Sequence, residues 1–160
     1  MSFHTDYAKW VRSCKKEFCP VCNREPAPQG MEDLYELPHS WLDTTPTECL
    51  KGTCHVVAKK HAVELYELND AEMLGLMKDI QLYAKALKSV TGAIHINYEI
   101  HGNTAPHLHI HVYPRYMDDP FPGKPIDFNY RYFYETGEYE EFMKKMRAEL
   151  DRLVSSETKK

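Results

Sequence analysis

His107-Leu108-His109-Ile110-His111-Val112-Tyr113 alternates imidazole with apolar side chains. That period of two predicts a β-strand, because residues two apart on a strand share a face. Leu108, Ile110 and Val112 then enter a core, and His107, His109 and His111 line the opposite side. Imidazoles make poor packing material. They titrate near neutral pH and serve as nucleophiles, acids, bases or metal ligands. The plainer alternative is a solvated strand face enriched in histidine by chance. The adjoining Asn103 and Thr104 speak against it.

Working outward, His101 to Pro106 is a short polar connection and Ala93 to Ile100 reads as another strand. So short a link cannot make a parallel crossover, so the pair is antiparallel. Upstream, Asn69 with Glu72 three residues later predicts a capping box that opens a helix running to about Val90. Its apolar stripe is Leu76, Ile80, Tyr83 and Leu87, and Gly92 follows its end. Gly52 to Lys59 reads as a core strand. Leu34 to Leu37 and Ser40 to Asp43 read as short strands broken by Pro38, with Thr44 to Lys51 as loop. A helix is expected over Asp6 to Phe18, with Tyr7, Trp10, Val11 and Cys14 as its apolar positions. A last helix is expected from Glu138 to Val154, after a loop rich in Pro and Gly over Asp118 to Asn129. The order points to an α+β fold, a mostly antiparallel sheet with one long helix packed on it and further helices at both ends.

The 160 residues are enough for one domain with its own core. With 42% hydrophobic and 28% charged residues the composition is that of an ordinary globular protein. A net charge of −4 gives no basic field for a nucleic-acid polymer, so an anion must be held by a local site. No apolar leader and no membrane-length apolar run is visible, which leads us to expect neither export nor a membrane. Five cysteines cannot all pair with one another, which favours a reducing, cytoplasmic setting. Cys19-Pro20-Val21-Cys22 by itself fits zinc, redox chemistry or packing, and the lack of a βαβ context weakens the redox reading. Cys14, Cys49 and Cys54 read as ordinary thiols.

The histidine run resembles the His-φ-His-φ-His-φ-φ signature of the histidine triad (HIT) superfamily of nucleotide hydrolases and transferases. Gly102-Asn103-Thr104 before it and Pro114-Arg115 after it are similar to the flanks of bacterial members. Val56-Val57-Ala58-Lys59-Lys60-His61 is similar to the family's strand that ends in a Lys-rich turn and a His. The resemblance spans roughly Leu34 to Tyr116. Two departures leave the substrate open: Asn103 stands where many members have Gln, and the C-terminal segment matches no member of known substrate.

The resemblance implies a HIT-like domain over 1–160. Its triad core covers about 34–116, the helix and CxxC segment cover 1–33, and the C-terminal loop and helix cover 117–160. It implies that His109 is the nucleophile and that His111 binds phosphate and assists the leaving group. Asn97, Asn103 and Thr104 are the implied phosphate donors. Asp43 is the implied holder of the ribose hydroxyls, with His39 on the same early strands. It further implies a homodimer and a structural zinc on Cys19, Cys22, His61 and His107, with no organic cofactor. His55 and His95 read as strand-face residues. The aromatic run Phe128, Tyr130, Tyr132, Phe133 and Tyr134 reads as helix–sheet packing or a subunit contact.

The leading expectation is a nucleotide-binding phosphohydrolase or nucleotidyl transferase, acting at the α-phosphorus of a nucleoside phosphoramidate or dinucleoside polyphosphate through a nucleotidyl-histidine. A nucleotide- or zinc-binding module with little turnover is the alternative. A third class is a metalloenzyme with its metal on the three histidines, which would place the ion at His109.

Overall fold

The computed structural model describes residues 3–26 and 30–157. Its elements are α1 (Tyr7–Ser13), β1 (Glu32–Glu36), β2 (Ser40–Thr44), β3 (Thr47–Glu48), β4 (Cys54–Ala58), α2 (Asp70–Thr91), β5 (His95–Glu99), β6 (His109–Arg115), β7 (Tyr132–Phe133) and α3 (Glu138–Glu157). Five strands form one antiparallel sheet in the order β1-β2-β4-β6-β5. The pairing of β5 with β6 follows from the short connection between them.

One face of this sheet is apolar and carries both long helices. Leu42, Val56, Ile110 and Val112 meet Leu76, Ile80, Tyr83 and Leu87 of α2 and Tyr139, Phe142, Met146 and Leu150 of α3. All four expected stripe residues of α2 are buried. That helix starts at the expected capping box, in which the Asn69 side chain accepts from the Glu72 amide and the Glu72 side chain accepts from the Asn69 amide. It ends at Gly92 in the left-handed region, at φ 73°. With the apolar face covered by helices, the polar face of the sheet is left for the site.

Several boundaries differ from the sequence reading. The N-terminal helix stops at Ser13, and a separate 3-10 turn spans Lys16–Phe18. Tyr7 and Val11 are exposed, so the apparent stripe buries little. The fourth strand begins at Cys54, because Gly52 before it adopts φ 80°, outside the strand region. The region 44–51 is more than loop. Its Thr47–Glu48 pair forms a two-stranded ribbon with Tyr132–Phe133. Ribbons this short have no sequence period to detect.

Candidate active site and metal centre

The histidine run does not act as a single face. The strand begins only at His109, and His107 lies before it, 1% exposed, with its amide donating to the Ala105 carbonyl. Its ring turns toward Cys19 and Cys22, with Nδ1 3.3 Å and 3.7 Å from their sulfurs. His61 Nδ1 lies 3.2 Å from the Cys22 sulfur. The four ligand atoms all lie within 4.8 Å of one another. A tetrahedral zinc with N and S ligands sets its donors about 3.5 Å apart, so the spacing fits.

The outer nitrogens fit as well. His107 Nε2 donates to the Ala58 carbonyl at 2.7 Å, and His61 Nε2 donates to the Cys14 carbonyl at 2.9 Å. Both protons are thereby placed on Nε2, and both Nδ1 lone pairs point at the cluster. Tight backbone bonds over Cys19 to Glu25 present the two sulfurs together. Burial, followed by the neighbouring Cys19 sulfur, pushes the Cys22 thiol up to about 11, a crowding that a cation relieves. Among the described residues this cluster takes His107 and leaves His109 and His111 out, contrary to a metal held by all three.

His109 and His111 point to the polar face. His109 Nδ1 lies 2.7 Å from the carbonyl of His107 and donates to it, which leaves the lone pair on Nε2. Burial lowers the pKa of both imidazoles; for His109 the carbonyl contact pulls the other way. Both are therefore neutral at pH 7. His111 is surrounded by rings. His55 lies 4.8 Å away at 90°, His109 5.0 Å, His101 5.4 Å, and Tyr113 is stacked at 5.8 Å.

Both histidines line a cavity of about 340 Å³. Its floor is the sheet, through Asp43, His55 and Val57. Its wall is the CxxC segment and the residues just after it, through Val21, Arg24 and Glu25. Neither Arg24 nor this wall was visible in the sequence. The Arg24 guanidinium lies 4.3 Å over the Trp41 ring and 3.0 Å from an Asp33 oxygen. It reaches the site because the metal-type cluster folds its segment back on the sheet.

Asp43 faces the cavity with Oδ1 buried and without a hydrogen-bond partner among the described residues. Burial first, then Asp33 directly across the register, pushes its carboxyl up to about 7. A raised acid binds more protons folded than unfolded, so its contribution to stability is lost as pH rises from the ordinary carboxylate range through about 7. Asp43→Asn is expected to melt above the wild type in mildly alkaline buffer and to match it near pH ~4. Thermal scans at the two pH values check this, and equal melting at both overturns it.

The remaining expected residues separate. Asn97 is on the edge strand, and its Oδ1 accepts from Arg115 Nη1 at 2.9 Å, so only its NH₂ remains to donate elsewhere. Asn103 and Thr104 lie in the exposed turn before His107. His39 leaves the site entirely: it sits in the β1–β2 turn with its ring pressed on Gly75 of α2, on the helix side of the sheet. Its position is fixed by Asp79, whose carboxylate accepts from the His39 amide and the Ser40 hydroxyl. His95 is an exposed edge-strand residue. The aromatic run divides. Tyr134 packs on Tyr139 and Phe142, as expected for helix–sheet packing, but Phe128 meets the His101 ring at 5.1 Å and His111 at 6.5 Å.

The family model of the HIT domain matches residues 34–118, more than half of the chain. The chain belongs to the HIT domain family. An uncharacterized HIT-like protein of Methanocaldococcus jannaschii is 32% identical over 107 residues, covering 64% of this chain and 80% of that one. A histidine triad protein of Bradyrhizobium japonicum has the same fold, with a TM-score of 0.68 at 24% identity over 75% of this chain and 90% of that one. A zinc-bound histidine triad family protein of Mycobacterium smegmatis aligns with a TM-score of 0.64 at 25% identity, over 90% of this chain and 99% of that one. The family match ends at residue 118, so β7, α3 and Phe128 lie outside it.

Proposed function

We propose that this HIT protein binds a nucleoside 5′-phosphate derivative and cleaves it at the α-phosphorus. The observation that supports the reading most is the His109 tautomer, with Nδ1–H tied to the His107 carbonyl and Nε2 free at the cavity floor. Nε2 attacks phosphorus, a P–N bond forms, and the bond to the leaving group breaks. Water then attacks the nucleotidyl-histidine, releasing the nucleoside monophosphate and restoring the imidazole. Asp43 holds the sugar hydroxyls. Asn97, Asn103 and Thr104 donate to phosphoryl oxygens, where charge builds in the transition state. A phosphoramidate or a dinucleoside polyphosphate fits this chemistry.

The Cys19, Cys22, His61 and His107 cluster is the proposed zinc site. The ion would supply a structural tie between the N-terminal segment and the sheet, and His107 is thereby withdrawn from the chemistry. The expected measurement is release of AMP from adenosine 5′-phosphoramidate or diadenosine tetraphosphate, with a transient adduct one nucleotidyl group heavier by mass spectrometry. AMP binding with no turnover of either substrate would make the protein a binding module instead.

A homodimer is also proposed. Among the described residues the edge strand β5 is open on one side, and Ile94, Tyr98 and Ile100 are exposed along it. Light scattering at micromolar concentration is expected to return twice the chain mass, and a monomer mass rejects the proposal.

A further inference from the structure

Cross-strand partners place one rung of ionisable side chains across the whole sheet: Asp33, Asp43, His55, His111 and Glu99. The middle member, His55, takes no part in the mechanism above. It is 3% exposed, and its Nδ1 is buried without a hydrogen-bond partner among the described residues. Its Nε2 lies 3.3 Å from a carboxylate oxygen of Glu48, itself largely buried. Its ring meets that of its register partner His111 at 90° and 4.8 Å. No hydrogen bond from protein to either nitrogen of His111 is present among the described residues, so ring contacts alone set its orientation. A buried histidine–carboxylate pair is an expensive way to fill space under an imidazole, since an apolar side chain would pack there at less cost.

We infer that Glu48 and His55 are positioning residues for His111: Glu48 grips His55, and the His55 ring fixes the plane of His111 toward the leaving group. Glu48 is delivered by the β3–β7 ribbon, so the segment beyond the family match shapes the site through it. The inference rests on the nucleotidyl-transfer reading of the previous subsection. In that reading His111, neutral in the free site, takes up a proton when the phosphate sits beside it. The leaving group takes that proton as its bond to phosphorus breaks, and the water that attacks the nucleotidyl-His109 returns one.

Two substrates separate positioning from mere structure. Adenosine 5′-phosphoramidate has a leaving group that needs a proton. The p-nitrophenyl ester of AMP has one that departs as an anion. For His55→Leu the expected result is a fall in kcat of tenfold or more on the phosphoramidate, about what a misplaced catalytic group costs. On the ester the fall is expected to stay under about twofold, with little change in KM for either. Glu48→Ala is expected to act in the same direction and Glu48→Gln to restore most of the loss. His55→Asn, which keeps a polar partner for Glu48, takes the place of His55→Leu should that variant not fold. Equal losses on both substrates, or none on either, overturn the inference while leaving the reaction class standing. A wild type that turns over neither substrate overturns the reaction class, and this inference with it.

Discussion

His109→Ala is expected to lower hydrolysis of adenosine 5′-phosphoramidate by about a thousandfold or more, with the fold unchanged. The imidazole is the atom source of the proposed covalent intermediate, so its removal deletes a step and not just a contact. Its tautomer is set by a backbone carbonyl two residues away, a geometry that no neighbouring side chain reproduces. His111, the nearest candidate to substitute, is enclosed by five other rings and makes no such bond among the described residues. The fold should survive because His109 projects from the polar face of β6, while Ile110 and Val112 fill the core from the other. Steady-state rates beside a thermal melt check both halves. Retention of more than about a tenth of the rate ends the nucleophile assignment.

The second large effect belongs to the Cys19, Cys22, His61 and His107 cluster. Protein purified without chelator is expected to carry about one zinc per chain, and Cys19→Ser with Cys22→Ser to carry none. The double variant is expected to melt about 10 °C lower or more, because metal binding free energy is folding free energy and a degree scale of this kind follows from a few kcal/mol. Hydrogen exchange should show protection lost first over Cys19 to Glu25, the segment the ion ties down. Since Val21, Arg24 and Glu25 form the cavity wall, AMP affinity should fall as well. Acidification is expected to release the ion, because thiolates and neutral imidazoles are the binding forms. A metal-free wild type that melts like the variant would leave Cys19 and Cys22 as a plain pair of thiols.

Much of this could be read from local pattern. The alternation over residues 107–113 gave the sheet face, and Asn69 with Glu72 gave the start of α2 to the residue. The Leu76, Ile80, Tyr83 and Leu87 stripe gave the helix face that meets the sheet. The CxxC, His61 and His107 are far apart along the chain, and only the resemblance joined them as ligands. The misreadings arose where local pattern and tertiary contact compete. His107 obeys the period of two in sequence, yet the strand has not begun there and its ring is drawn to the two sulfurs. His39 sits beside a strand, but Asp79 and the bare backbone of Gly75 hold it on the helix side.

By itself the sequence determined the face of β6 that His109 and His111 share and the face of α2 that meets the sheet, because those depend on side-chain type and on a period set by the backbone. Tertiary structure alone decided the rung from Asp33 to Glu99, the Arg24 wall and the Glu48–His55 pair. Each of these joins residues from separate strands or segments. Strand order and register set those meetings, and they come from how the whole apolar face is covered by α2 and α3, a global packing condition that no local window contains.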